Sequence, residues 1–219
     1  MLSGTRRTAR LDALVAELRA TGARALAVPL DVTQGESIRA AFEQAAALGT
    51  VDLVVNNAGI GTTRPTLELS EAQWDEVVST NLRGAWLVAQ TAAQRLVGAG
   101  RPGGIINVAS IVGLRPIGQL AAYAAAKAGL IHLTRTLAME WARHGIRVNA
   151  LAPGYFETEL NRPFWSTPAG KRLIERVPQR RLGRLADLDG PLLLLASDAG
   201  AYMTGSVLVV DGGHTVASL

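Results

Sequence analysis

The chain has 219 residues, of which 48% are hydrophobic and 18% are charged, and its net charge is +4. This size predicts one domain, residues 1–219, with a core of its own. No apolar run reaches the roughly 20 residues that a membrane-spanning helix needs. The chain contains no cysteine, which excludes disulfides and thiolate metal sites. We therefore expect a cytoplasmic protein with no metal site and no membrane contact, because the N-terminus also lacks the charged-then-apolar order of a signal peptide.

Arginine is clustered at two places, which raises the question of a nucleic-acid partner. The clusters are Arg6, Arg7 and Arg10, and Arg180, Arg181 and Arg184. Neither is interleaved with the aromatic residues on which bases stack, so we predict no nucleic-acid binding.

The first half of the chain alternates predicted helices with apolar runs. A helix is predicted over 8–20, with Leu11, Leu14, Val15 and Leu18 on one side. The elements that follow are a strand over 25–30 ending at Asp31, a helix over 37–48, a strand over 51–55 leading into Asn56-Asn57-Ala58-Gly59, and a long helical stretch over 70–97 that contains Asn81.

The second half continues the alternation. Its elements are a strand over 104–109 closed by Ser110, a loop with three turn-forming residues, a helix over 121–143 that carries Tyr123 and Lys127, a strand over 145–151 ended by Pro153-Gly154, a mixed segment over 155–183, a helix over 185–197 and a strand over 207–210. Continuously apolar strands that alternate with helices predict an α/β fold, a doubly wound, Rossmann-like parallel sheet covered on both faces.

Polar or turn-forming residues follow four of the predicted strands. They are Asp31, Asn56–Gly59, Ser110 and Pro153-Gly154. Open parallel sheets bind ligands beyond the carboxyl ends of their strands. The sequence therefore predicts a binding site along this edge.

Tyr123 and Lys127 are four residues apart, which places them on one face of a helix. An ammonium beside a phenol favours the phenolate, so we expect Lys127 to lower the pKa of Tyr123. The hydroxyl of Ser110, at the end of a strand, can hydrogen-bond the same reacting oxygen. Taken alone, this tyrosine–lysine spacing also fits a surface lysine beside a half-buried tyrosine.

Taken together, the motifs resemble the short-chain dehydrogenase/reductase family. The matching positions, in chain order, are Asn56-Asn57-Ala58-Gly59, Asn81, Ser110, Tyr123 with Lys127, Pro153-Gly154 with Thr158, and Asp211-Gly212-Gly213. The resemblance extends from about residue 2 to the end. It implies an oxidoreductase that transfers a hydride between NADP(H) and a ketone or secondary alcohol, acting on a small molecule.

The resemblance also implies a catalytic tetrad. Tyr123 would donate a proton to the carbonyl oxygen, and Ser110 would hold that oxygen by a hydrogen bond. Lys127 would bind the nicotinamide ribose and lower the pKa of the tyrosine. Asn81 would hold a water that links Lys127 to solvent.

The same resemblance implies which residues would contact the cofactor. Asp31 would meet the adenine amino group with Val32 beside it, and Tyr123 and Lys127 would contact the cofactor from the helix. The remaining contacts are Asn57, Ala58 and Gly59 against the adenosine ribose, Pro153 and Gly154 under the nicotinamide, and Thr158 at the carboxamide or pyrophosphate. Where the family selects NAD(H) with a carboxylate, this chain has Thr5 followed by Arg6. Arginine suits a 2′-phosphate, so NADP(H) is favoured over NAD(H).

One departure from the family is large. Its first strand and the turn T-G-x-x-x-G-x-G, which cradles the pyrophosphate, have no counterpart in this sequence. We expect an N-terminally incomplete domain that lacks roughly 30–35 residues, with a gap of roughly 14 Å in the sheet. Such a chain would bind NADPH poorly. The alternative is that residues 1–50 dock differently or remain loosely attached.

Two other functions are left open. One is a non-catalytic, truncated scaffold, and the other is a sugar-nucleotide epimerase or dehydratase, for which this length leaves little room. The substrate cannot be named from the sequence, although 3-oxoacyl-thioester reductases and sugar-acid or polyol dehydrogenases are the most similar family members. An aromatic group fits either an apolar substrate wall or a core: Tyr155, Phe156, Phe164 and Trp165.

Assembly is a further expectation from the resemblance. We predict a homo-oligomer, a dimer or tetramer, formed through the stretches 70–97, 121–143 and 207–210. The helix from 121 carries apolar residues on more than one side, namely Leu130, Leu133, Leu137 and Trp141.

Overall fold

The computed structural model describes residues 8–158 and 161–217. Within these residues four strands form one sheet: β1 (Leu53–Asn56), β2 (Gly103–Val108), β3 (Ile146–Pro153) and β4 (Val207–Val210). The strand order is β1-β2-β3-β4, and every pair is parallel. The predicted parallel α/β sheet is confirmed.

The helices connect and cover these strands. They are α1 (Thr8–Ala20), α2 (Gly35–Ala45), α3 (Glu71–Val78), α4 (Ala85–Gly98), α5 (Ala121–Trp141), α6 (Arg162–Trp165), α7 (Pro168–Arg176) and α8 (Asp189–Ala196). A π-helical turn, Ser79–Gly84, joins α3 to α4, so the predicted stretch 70–97 is helical throughout but changes its winding around Asn81. Short 3-10 turns also extend α2 and α5 and precede α8.

Hydrophobic residues cover both faces of the sheet. On one face, Ile38 and Phe42 of α2 pack with Leu96 of α4, Ile105 of β2 and Val148 of β3. On the other face, a second cluster joins the sheet to α8: Ile106, Leu151 and Leu195. Burial on both sides explains why β2 and β3 are continuously apolar rather than alternating.

The strand predicted over 25–30 is not formed. Ala25 and Val28 are buried, and the Arg19 side chain donates to the Ala25 carbonyl oxygen at 3.1 and 2.9 Å. However, no described strand is hydrogen-bonded to the segment, and pairing defines a strand. The apolar pattern therefore reflected burial. Residues 35–45 are not loosely attached, because α2 packs on α4 in the main core.

Strand register brings the polar strand ends to one edge of the sheet. Asn56 pairs with Asn107, Val108 with Leu151, and Pro153 with Val210. In the two described ranges no helix is long and apolar enough to cross a membrane. The same ranges contain no group of three or more metal-ligating side chains that could hold an ion.

Candidate active site

Ser110 follows β2 and is placed by a close contact with α5. Its hydroxyl oxygen accepts a hydrogen bond from the Val112 amide at 3.2 Å and so caps the turn Ile111–Gly113. A Cβ atom on Gly113 would lie 2.7 Å from the backbone carbon of Lys127. Only a glycine lets this turn lie directly on α5, and the contact brings Ser110 to Tyr123.

Tyr123 lies half-buried in the first turn of α5. Burial raises the pKa of Tyr123 above its ordinary value, and the nearby hydroxyl of Ser110 lowers it in part. The expectation that Lys127 would lower the pKa of this tyrosine is wrong. The low-dielectric surroundings of the phenol disfavour the phenolate, and the Lys127 ammonium lies 5.6 Å from the centroid of the Tyr123 ring.

Lys127 is 4% exposed, which is rare for a lysine. Its Nζ atom donates to the Val108 carbonyl oxygen at 2.7 Å, at the end of β2. Burial lowers the pKa of Lys127 from 10.5 to about 8. The ammonium is therefore held at the carboxyl edge of the sheet, still mostly charged at neutral pH, at a cost in stability.

Asn81 is fully buried in the π-helical turn. Its Nδ2 donates to the Ile60 carbonyl oxygen at 2.7 Å, and its Oδ1 accepts from the Ile60 amide at 2.8 Å. Both polar atoms of the side chain thus fix the loop after β1. A Cβ atom on Gly59 in that loop would be 3.3 Å from Asn81 Oδ1 and 3.6 Å from Lys127 Nζ. The structure therefore brings Asn81, Ser110, Tyr123 and Lys127 together, with π-helical winding of the kind often found at functional sites.

A buried polar network supports this cluster, and the sequence analysis missed it. Asn56 Nδ2 donates to Asn107 Oδ1 at 2.9 Å and to the Ala85 carbonyl oxygen at 3.0 Å. Asn107 Nδ2 donates to Thr134 Oγ1 at 2.9 Å. The network ties β1 to β2, α4 and α5. The signal was an asparagine inside an apolar strand, which has to find partners.

The predicted cofactor-contact residues lie at several points of the same edge. Asn57, Ala58 and Gly59 are exposed directly after β1. Gly154 follows β3, and a Cβ atom there would lie 2.7 Å from the Asp211 Cα atom. Pro153 is the last residue of β3, and Thr158 is exposed beyond it.

Asp31 and Val32 lie near the π-helical turn. The Asp31 carboxylate accepts from the Thr33 amide at 2.9 Å and from the Thr33 hydroxyl at 2.7 Å. Val32 packs so tightly on Gly84 that a Cβ atom there would be 2.8 Å from Val32 Cγ2. Arg6, on which the cofactor preference rests, lies outside the described residues, as does Thr5.

These surroundings fit a nicotinamide dinucleotide. The small residues after β1 expose backbone to an approaching ribose, and the buried ammonium of Lys127 is 3.6 Å from the position a Gly59 Cβ would take. The ends of β1, β2 and β3 lie side by side, as they do where such cofactors cross parallel sheets.

A cleft of about 730 Å³ begins beside Ser110, at Ile111 and Val112. The ring of Tyr155 lines it and makes edge contacts with Trp165 and His214, at centroid distances of 5.5 and 5.0 Å. Of the four aromatic residues expected in an apolar wall, only Tyr155 lines this cleft. Phe156 and Trp165 are buried, and Phe164 stacks edge-on against Trp165.

A parallel sheet covered on both faces, with polar side chains at its carboxyl edge, is the architecture found in doubly wound proteins that bind dinucleotides. A family described as "Enoyl-(Acyl carrier protein) reductase" matches residues 2–215. The chain belongs to the short-chain dehydrogenase/reductase family of enzymes, and the expected oxidoreductase class is confirmed.

Relatives of known activity are similar over most of the chain. The chain is 36% identical to the 2-dehydro-3-deoxy-D-gluconate 5-dehydrogenase of Escherichia coli K12 over 201 residues, covering 91% of this chain and 79% of the relative. It is 35% identical to a 3-oxoacyl-(acyl-carrier-protein) reductase of Staphylococcus epidermidis over 205 residues, covering 93% and 83%.

A solved structure is similar in fold throughout. It is a gluconate 5-dehydrogenase from Burkholderia cenocepacia J2315 in complex with NADP and tartrate. The TM-score is 0.93 at 36% identity, covering 99% of this chain and 86% of that one.

Proposed function

We propose that the protein interconverts a ketone and a secondary alcohol with NADP(H), using Tyr123, Ser110, Lys127 and Asn81. The observation that carries the proposal is Lys127, a nearly inaccessible ammonium held at the end of β2, 5.6 Å from the centroid of the Tyr123 ring. Burying a lysine without a carboxylate partner is costly. A site that needs the charge there accounts for this cost.

Each side chain has a distinct part in the chemistry. The raised pKa keeps the Tyr123 phenol protonated at neutral pH, so in the reductive direction it can give its proton to the substrate oxygen. Ser110 hydrogen-bonds the same oxygen and stabilises the negative charge that develops there. Lys127 supplies positive charge 5.6 Å from the centroid of the Tyr123 ring. Asn81 fixes the loop at Ile60, which borders these two side chains.

The cofactor would be held by Asp31, Val32, Asn57–Gly59, Pro153-Gly154 and Thr158, together with Tyr123 and Lys127. When bound, the nicotinamide supplies or accepts the hydride. NADP(H) is preferred in this proposal because of Arg6, and a similar structure in complex with NADP supports it. Nothing in the comparisons favours the alternative of a non-catalytic scaffold.

Assembly as a dimer or tetramer is part of the same proposal. Leu130 and Leu137 do not support it, because they are buried within the chain. Apolar side chains that α4 and α5 do present to solvent are Trp86, Val97 and Met139. A two-fold interface would cover these helices, and light scattering at micromolar concentration tests it, with a monomeric mass counting against an interface.

The function is tested by following the absorbance of reduced nicotinamide with purified protein. NADPH and NADH are each offered with a panel of sugar-acid ketones and 3-oxoacyl thioesters, the compound classes of the relatives. We expect cofactor oxidation with at least one ketone and a lower KM for NADPH. No oxidation with any ketone would overturn the proposal, and a lower KM for NADH would overturn the cofactor preference.

A further inference from the structure

The cleft beside Ser110 is positively charged. Three arginines line it, Arg115, Arg176 and Arg180, together with a single carboxylate, that of Glu175. Most of the other lining is apolar. A concave site with fixed charge of one sign concentrates ligands of the opposite sign.

Within residues 8–158 and 161–217, none of the three guanidinium groups forms an ion pair with a carboxylate. The described ion pairs of the neighbouring segments join Arg162 to Glu157 and Arg181 and Arg184 to Asp187. Arg115 donates instead to the carbonyl oxygens of His214 and Ala217, at 2.7 and 3.1 Å, which holds the last described turn against the cleft. Charge is therefore available on this wall for a ligand.

The backbone of Arg180 has an unusual conformation. Its φ angle is +53°, in the left-handed region that non-glycine residues rarely occupy. Its side chain donates to the Glu175 carbonyl oxygen at the end of α7. Strained backbone of this kind is concentrated at functional sites, and here it positions a guanidinium at the cleft.

His214 provides a polar atom that still lacks a partner. Its Nδ1 atom is buried and makes no hydrogen bond within the described residues. Burial lowers the pKa of His214, and the charges of Arg115 and Arg176 lower it further, against an opposing effect of Asp211. The imidazole is therefore mostly neutral at pH 7, and the positive charge of the cleft comes from its three arginines.

We propose that the substrate is a hydroxy or oxo carboxylic acid whose carboxylate binds Arg176 and Arg180, while its reacting oxygen lies at Ser110 and Tyr123. This inference rests on the proposed function. The carboxylate site and the reacting site are adjacent, because Ile111 and Val112, which line the cleft, directly follow Ser110 in the sequence. Arginine suits a carboxylate through its planar donor fork.

The experiment compares acids with neutral partners of the same carbon skeleton. D-gluconate is compared with D-gluconamide, and L-tartrate with its diamide, in NADP⁺ reduction by wild type, Arg176→Gln and Arg180→Gly. Glycine at position 180 removes the guanidinium without adding backbone strain. Arg172→Gln is the matched control, since Arg172 is an exposed residue of α7 that does not line the cleft. Binding of D-gluconate is measured separately by calorimetry.

We expect the wild type to prefer the acids by at least about tenfold in kcat/KM, and each cleft variant to reduce the acid-to-amide ratio roughly 10- to 100-fold. Arg172→Gln should leave that ratio unchanged. Equal use of acids and amides, or activity confined to neutral 3-oxoacyl thioesters, would overturn the inference while leaving the oxidoreductase intact. D-gluconate binding that depends on Arg176, together with no turnover of any ketone or alcohol tested, would support the carboxylate site and overturn the proposed function. Absence of both binding and turnover would overturn the inference.

Discussion

Replacing Lys127 with methionine should make the stability of the protein less dependent on alkaline pH. The side chain is 4% exposed, and burial lowers its pKa from 10.5 to about 8. Between these values the unfolded chain binds more protons at this lysine than the folded chain does. Stability contributed by this group therefore rises with pH across that window, because below it the folded protein keeps a charge in a poorly solvated place.

The size of the effect follows from the two pKa values. At about 1.4 kcal/mol per pKa unit, the free energy of unfolding of the wild type should gain on the order of 2–3 kcal/mol relative to Lys127→Met between about pH 7 and pH 10. For a chain of this size that corresponds to roughly 5–10 °C in Tm. The Val108 carbonyl oxygen loses its donor in the variant, but that loss is the same at every pH and cancels from the comparison.

The assay is urea unfolding of both proteins at several pH values, with Lys171→Met as the control because Lys171 is exposed on α7. As pH rises, the unfolding free energy of the wild type should increase relative to that of Lys127→Met and stay parallel to that of Lys171→Met. A difference between wild type and Lys127→Met that is constant to within about 0.5 kcal/mol across this range would refute the reasoning.

Three other predictions follow from the same site. Gly113→Ala should cost about 1–3 kcal/mol in urea unfolding and also reduce turnover, because its Cβ atom would meet the α5 backbone at 2.7 Å; unchanged stability would mean that the turn can move away freely. Asn107→Ala should cost about 1–3 kcal/mol by removing the bonds that Asn107 makes with Asn56 and Thr134, although each of these keeps a bond to a carbonyl oxygen. A loss below about 0.5 kcal/mol would show that the network is dispensable. Burial raises the pKa of Tyr123, and alcohol oxidation needs the phenolate, so the rate of oxidation should still increase with pH near pH 10. The rate of ketone reduction should stay constant until the phenol ionises. An oxidation rate that levels off below about pH 8 would contradict the raised pKa.

The positions of the strands could be predicted from the sequence because burial on both faces gives continuous apolar runs. β2 and β3 are of this kind, and their predicted positions were correct to within a residue or two. Residues 25–30 have the same pattern but no described strand partner. Hydrophobicity reports burial in both cases, and it cannot report which backbone groups pair.

The structure brings the four predicted catalytic side chains close together, but their surroundings could not be predicted from the sequence. Spacing alone placed Tyr123 and Lys127 on one face of α5, and Ser110 was predicted from its position at the end of a strand. The structure adds the close contact of Gly113 with α5, which brings the turn after Ser110 to this helix. The pKa of Tyr123 was predicted in the wrong direction, because a sequence shows that a cation is near but not how deeply the phenol is buried. The two hydrogen bonds between Asn81 and Ile60 also depend on a π-helical turn that helix periodicity does not reveal.

The central claim is that Tyr123 transfers the proton to the substrate oxygen, and the most direct measurement is kcat/KM of Tyr123→Phe for NADPH-dependent ketone reduction. The ring and its packing are retained in this variant, and thermal unfolding checks that they are. The account predicts a loss of roughly 10²–10⁴-fold. Activity within about threefold of wild type in a folded Tyr123→Phe protein would contradict it.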